Sequence, residues 1–300
     1  MKSSLEHLPE QKQRELARVV EIIHEEFEDA LKGSEAEFKK KGRIWKIILF
    51  GSYARGTWVE EPHTTKAYRS DYDILIIVNT KKLTDPEYWE AARSRLMHDS
   101  GINTPVGVIV QSRREVGDRL HLGQPFFSDI RRDGIVLYEL NDDLLPQPKP
   151  MSPDEEYSTA KSYFEEKLPF SIAFMDGVEL YLSKRQFKHA AFLLHQSIEQ
   201  AYATLLLTLT GYSPASHNIR FLRALSEDRD VRLASAWPRS HQRFTAWFNL
   251  INEAYVKARY SPHYEISDEA LIWLEERTAE LHKLIKTACE EHLMKLRARL

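Results

Sequence analysis

The sequence predicts two unlike parts: an α+β domain built on a small mixed sheet, followed by an all-α helical bundle. Three observations predict it. Apolar runs of strand length are confined to the first 143 residues, where they alternate with helical patterns. From Ser152 onward no strand pattern is convincing, and apolar residues recur at helical spacing. Between the two lies Pro146-Gln147-Pro148-Lys149-Pro150, whose prolines favour an extended, semi-rigid spacer. The expected organisation is therefore a domain at 1–143, a Pro-rich linker at 144–151 and a helical domain at 152–300.

Residues 8–31 read as a helix, with Leu16, Val19, Val20, Ile23, Phe27 and Leu31 at three- and four-residue spacing and Glu and Lys on the other face. A polar break at 34–42 precedes a first strand over 45–50. Gly51-Ser52-Tyr53-Ala54-Arg55-Gly56 then makes a glycine-bounded turn. The interval up to Asp71 contains Trp58, Pro62, His63 and Tyr68 and reads as a loop, a candidate lid or acceptor-binding segment with His63 exposed to solvent. A second strand follows over 72–79, then a helix from Asp85-Pro86-Glu87 to His98, with Asp85 as N-cap and Pro86 in the first helical position. A third strand is expected at 105–111, short helices after it, and a last strand at 134–138, with the helices on one side of the sheet.

In the second part, Ser152-Pro153-Asp154-Glu155 starts a helix. Helices are expected at 153–182, 185–210, 217–228, 232–258 and 267–298, with Pro169 kinking or dividing the first and Pro238 the fourth. The second carries a wide apolar surface suited to a bundle core.

The chemistry concentrates around the turn. Asp71 and Asp73 open the second strand at i and i+2, so both carboxylates project from one face. Two hard oxygen ligands at that spacing suit Mg²⁺, with Mn²⁺ as an alternative, completed by water and substrate phosphates. Gly51 and Gly56 permit close backbone approach, Ser52 offers a hydroxyl, and exposed N–H groups in such a turn can face phosphate oxygens.

Gly51-Ser52-Tyr53-Ala54-Arg55-Gly56 followed by Asp71-Tyr72-Asp73 resembles the G-S-x-x-x-G…D-x-D signature of the DNA polymerase beta-like nucleotidyltransferases, nearest to the minimal and kanamycin nucleotidyltransferase types. The resemblance implies transfer of a nucleoside monophosphate, AMP in the first instance, from a Mg²⁺-bound triphosphate to a hydroxyl. It assigns Asp71 and Asp73 to metal and catalysis, and Gly51, Ser52 and Arg55 to the nucleotide. Active relatives carry a third carboxylate on a later strand, and the matching position here is Gly107. A slow transferase and a nucleotide-binding sensor therefore both stay open.

The helical part also resembles a known module. His189–Gln200 on one helix, Gly211-Tyr212-Ser213-Pro214, His217-Asn218 and Tyr255–Tyr264 recur in the order of the HEPN domain, over roughly 152–298. Ribonucleases of that family use an arginine and a histidine with four to six residues between. The nearest match is Arg259 and His263, with three between, one of them Pro262. The resemblance thus favours a binding or interaction role over RNA cleavage, although a HEPN ribonuclease regulated by the first domain is the alternative. It also implies a homodimer through the helical domain and a toxin–antitoxin-like, defence or resistance setting. In some such pairs AMP is added to a tyrosine near the motif, which makes Tyr260 and Tyr264 candidate acceptors. A small molecule or RNA is a further acceptor class. His195 and Glu199, at i and i+4, read as core residues rather than pocket lining.

The composition sets limits. Apolar content of 42% and charged content of 29% are those of an ordinary globular protein. A net charge of −3 argues against a general nucleic-acid coat. One cysteine, Cys289, excludes an internal disulfide framework and fits a reducing compartment. The charged start shows no signal-peptide pattern and no apolar run reaches membrane-spanning length, so the expected location is the cytoplasm, with no membrane partner.

Overall fold

The computed structural model describes residues 1–33, 35–60, 70–238 and 241–300. These fall into two compact units that divide between Pro150 and Met151. Of the interval before Asp71, Trp58 is described and stacks on Tyr53 at 5.5 Å, whereas the expectations for Pro62, His63 and Tyr68 fall on residues 61–69 and lie outside the described residues.

The first unit begins with α1 (Glu10–Leu31) and a single turn, α2 (Glu37–Lys40). Then come β1 (Ile44–Phe50), the five-residue helix α3 (Gly51–Arg55) and β2 (Tyr72–Val78). Asp85 caps a short 3-10 turn at Pro86–Tyr88, its side chain accepting from Glu87 N, and α4 (Glu90–His98) starts anew after Trp89. The expected helix from Asp85 to His98 is therefore two pieces. β3 (Val106–Ser112), α5 (Arg113–His121), α6 (Pro125–Asp133) and β4 (Ile135–Glu139) complete the unit.

The sheet order is β3-β2-β1-β4. β1 pairs antiparallel with β2 and β4, and β2 pairs parallel with β3, which makes the sheet mixed as expected. Helices cover both faces, not one. Leu16, Val19, Ile22, Ile23 and Phe27 of α1 pack with Ile47, Leu49, Ile74, Ile76, Val108 and Val110 on one face. On the other, Phe126 of α6 meets Phe50 edge-to-face at 5.4 Å, and Phe127 and Ile130 are buried. The reason is in the strands: every residue of β1 and β2 is buried, and a strand that is apolar on both faces needs cover on both.

The second unit is helical: α7 (Pro153–Ser183), α8 (Phe187–Thr210), α9 (Ile219–Arg229), a 3-10 turn at Val231–Ala236, α10 (Gln242–Tyr260) and α11 (Asp268–Arg297). Ser152 and Glu155 form a reciprocal capping box at the start of α7, satisfying two otherwise orphaned donors. Of the kink or division expected at Pro169, the division does not occur: α7 runs as one helix through it. Pro169 is exposed, so the carbonyl its missing N–H leaves unbonded can turn to solvent. The expected fourth helix is divided at Pro238 as anticipated, with a 3-10 turn before Trp237 and α10 beginning at Gln242. At the centre, Ser171 Oγ donates to Ser197 O at 2.8 Å, Ser197 Oγ to Ser171 O at 2.9 Å, and His282 Nε2 lies 2.9 Å from Ser171 Oγ. This reciprocal knot joins α7, α8 and α11.

Among the described residues, no helix is long and apolar enough to cross a membrane. Cys289 is buried, and burial pushes its thiol up to about 12, which makes it unreactive at neutral pH.

Candidate active site

The end of β1 and the start of β2 meet as antiparallel neighbours, with Phe50 opposite Asp73. The chain leaves β1 through Gly51 at φ +73° and closes α3 with Gly56 at φ +78°. Both values lie in the left-handed region, where a β-carbon is costly. The glycine-bounded turn is thus one turn of helix. A Cβ added at Gly51 would stand 2.2 Å from Asp73 Oδ2. The missing side chain at Gly51 therefore lets the Asp73 carboxylate lie directly against the turn.

Asp73 is buried and Ser52 beside it is nearly so. Asp71 is half-buried, one residue ahead of β2, and strand alternation puts it on the face of Asp73. Gly51, Ser52, Asp71 and Asp73 are thereby gathered at one end of the sheet. Arg55 lies at the far end of α3, where its charge acts on Asp133 of α6. Asp133 is held below the usual carboxylate range first by its hydrogen bond with Arg132, and more weakly by Arg55.

In the parallel pairing Asp73 stands opposite Gly107. The strand beside the aspartates thus presents no carboxylate at that register. Glu115 and Asp118 lie beyond the other end of β3: Glu115 accepts from Ser112 N and Oγ as a capping box and pairs with Lys81, while Asp118 pairs with Arg114. Among the described residues no group of three His, Cys, Asp or Glu is arranged to hold a metal.

The reading of α1 missed a polar network on its core face. Glu15 Oε2 accepts from Thr104 Oγ1 at 2.9 Å and from Tyr72 OH at 3.2 Å, and Lys12 Nζ donates to Thr104 Oγ1 at 2.8 Å. Lys12 also pairs with Glu60. All of Lys12, Glu15, Tyr72 and Thr104 are buried. The signal was present: Lys12 and Glu15 occupy the positions that continue the Leu8, Leu16, Val19 stripe, so they are not on the polar face.

In the helical unit, α10 ends at Tyr260, directly after Arg259, and His263 lies exposed in the following turn. Pro262 accounts for the stop, since residues before a proline leave the helical region. Arg259 Nε donates to Tyr255 O at 2.6 Å, and its guanidinium lies over the Tyr255 ring at 4.3 Å. Tyr260 is 73% exposed, whereas Tyr264 is 3% exposed and donates its hydroxyl to Leu250 O at 3.1 Å. The structure thus separates the two tyrosines: Tyr264 is a core residue. His195 is fully buried with Nε2 2.9 Å from His217 O, a satisfied core histidine. Glu199 instead meets His217, whose Nδ1 is 2.9 Å from Oε2.

Comparison with known proteins agrees with this division. The nucleotidyltransferase domain family matches residues 31–116, and the HEPN domain family matches residues 171–291. The "Putative protein adenylyltransferase MJ0604" of Methanocaldococcus jannaschii is 35% identical over 113 residues, which are 38% of this chain and 92% of that relative.

Proposed function

Because the chain belongs to the nucleotidyltransferase family and carries a HEPN domain after its transferase domain, we propose that it moves AMP from ATP to a hydroxyl group of a protein. Nucleoside monophosphate transfer is the activity of the family; the nucleotide, the metal and the acceptor are our reading. The observation that carries it is the close approach of the buried Asp73 carboxylate to Gly51, which holds it against the turn between β1 and β2. A buried carboxylate at a strand end, lying against a glycine-bounded turn with Asp71 on the same face, would suit a divalent cation. Asp71 and Asp73 would hold Mg²⁺ or Mn²⁺, and Ser52 with the α3 backbone would face the triphosphate, with Arg55 near its outer end. A bound divalent cation lowers the pKa of an attacking hydroxyl and steadies the leaving pyrophosphate. The acceptor oxygen would attack the α-phosphorus and lose its proton to water, while the bond from that phosphorus to the pyrophosphate oxygen breaks and pyrophosphate leaves.

The relative's printed name supports a protein acceptor. On this chain the exposed Tyr260 is the candidate, rather than the buried Tyr264. We place the protein in a toxin–antitoxin-like or defence setting, acting as a homodimer through the helical unit. The register of Gly107 against Asp73 favours a second reading, a nucleotide-binding protein of slow turnover, since loss of a base typically costs ~10²–10⁴-fold.

The test is incubation of the purified chain with Mg²⁺ and each α-labelled NTP, followed by a denaturing gel. Label from ATP on protein, lost with Asp73→Asn, supports AMP transfer. Tight ATP binding without label, with or without added cell protein, supports the second reading.

A further inference from the structure

Tyr72 lies between Asp71 and Asp73 in the chain, so strand alternation sends its side chain to the opposite face of the sheet. There its hydroxyl donates to Glu15 Oε2 at 3.2 Å. The same oxygen accepts from Thr104 Oγ1 at 2.9 Å and from Thr104 N at 3.3 Å, and Glu15 Oε1 accepts from Gln11 Nε2 at 3.1 Å. Thr104 leads into β3, and the adjoining Pro105 O accepts from Tyr72 N at 2.8 Å. The Tyr72 ring also packs against Tyr53 of α3 at 4.5 Å. One carboxylate on α1 thus ties together the first residue of β2 and the segment entering β3.

Burial alone would push the Glu15 carboxyl up, but the hydrogen bond from Thr104, the Lys12 charge and the bonds from Tyr72 and Gln11 outweigh it. Glu15 is therefore ionised in the core. Such a group is an unpromising source of stability, since well-packed apolar replacements of buried ion pairs are often neutral or stabilising. Its geometry points to a different use. Mg²⁺ demands near-ideal octahedral coordination, and displacement of reacting groups by about 1 Å can cost ~10²-fold.

We propose that Glu15 is a positioning residue for the Asp71–Asp73 pair, acting through the Tyr72 hydroxyl, with Lys12 and Thr104 holding its carboxylate in place. Breaking the tie frees the start of β2 to turn, and both aspartates turn with it. This inference rests on the assignment of Asp71 and Asp73 to a divalent cation.

The test uses the full chain, Mn²⁺ and a non-hydrolysable ATP analogue, with cation-dependent nucleotide binding read by calorimetry and fold stability by thermal melting. Tyr72→Phe keeps the ring and removes the tie. It should raise the Mn²⁺ concentration for half-maximal analogue binding about tenfold, a fraction of the ~10²-fold cost of a full 1 Å displacement. Affinity at saturating Mn²⁺ should stay near that of the unsubstituted chain. Glu15→Leu should match Tyr72→Phe, and Glu15→Gln, which keeps an acceptor oxygen, should recover most of the loss. A lower melting temperature with an unchanged Mn²⁺ midpoint in Tyr72→Phe would reduce Glu15 to a structural role and overturn the proposal. Asp73→Asn separates the two levels. If it loses cation-dependent binding while Tyr72→Phe does not, positioning alone fails. If it binds as the unsubstituted chain does, the metal assignment fails with it.

Discussion

Gly51 faces Asp73 so closely that a β-carbon on the glycine would lie 2.2 Å from the aspartate Oδ2. The contact joins the end of β1 to the start of β2, and it makes a glycine at this point a condition for the carboxylate to keep its place. Gly51→Ala therefore has two effects. The left-handed backbone, φ +73°, costs ~1–2 kcal/mol for alanine. The methyl group displaces the Asp73 carboxylate, and NMP transfer should fall on the order of 10²-fold. Melting and labelled-transfer assays read the two separately; a transfer loss no larger than the stability loss explains would remove Asp73 from the site.

Gly107, paired with Asp73 across the parallel strands, is the position at which a third carboxylate would adjoin the first two. Gly107→Asp should raise the rate of transfer, towards the ~10²–10⁴-fold that a positioned base contributes. Single-turnover rates with α-labelled ATP check this. An unchanged rate would mean that the proton of the attacking hydroxyl leaves by another route.

Tyr260 and Tyr264 differ in access by more than their spacing implies. Label from α-labelled ATP on this chain should map by mass spectrometry to Tyr260 and vanish in Tyr260→Phe. Tyr264→Phe should keep the label and lower stability by ~1 kcal/mol through loss of the hydroxyl bond to Leu250 O. Label on Tyr264 would require the end of α10 to open.

Acid should weaken the helical unit well before its carboxylates titrate. Burial pushes His282 down to about 4 and, with the charges of His217 and Arg259, His195 to about 4, against an ordinary value near ~6.5. Below pH ~6.5 the unfolded chain takes up protons that the folded chain refuses, so the stability present above that pH is lost as it falls towards 4. Circular dichroism melts of the full chain should show a steady fall in melting temperature over this window. His282→Gln, which can still bond Ser171, should make the fall shallower; an unchanged slope would exclude His282 as its source.

Much of the first unit was legible because its signals are local. The Ile47–Phe50 and Ile74–Val78 runs form β1 and β2, and in the second unit the Ser152–Glu155 box, equally local, starts α7. What was misread involved partners far along the chain. Helices were expected on one face of the sheet, yet strands buried on both faces recruit both α1 and α6. Pro169 was expected to kink or divide α7, and its exposed place lets the helix continue undivided. The Glu and Lys residues of α1 were read as its polar face; the helical stripe places Lys12 and Glu15 on the core face, but their partners Tyr72 and Thr104 are distant in sequence.

By itself the sequence determined the two-part plan, the family resemblance and the pair Asp71 and Asp73, because each follows from residue type at short, fixed spacing. The tertiary structure decided what stands against that pair: Gly51 in contact with Asp73, Gly107 in the neighbouring strand, and the Glu15 carboxylate behind Tyr72. It likewise decided that Tyr260 is open and Tyr264 closed. Those relations depend on strand register and on which helix covers which face, and both are set when distant segments bury their apolar surfaces together.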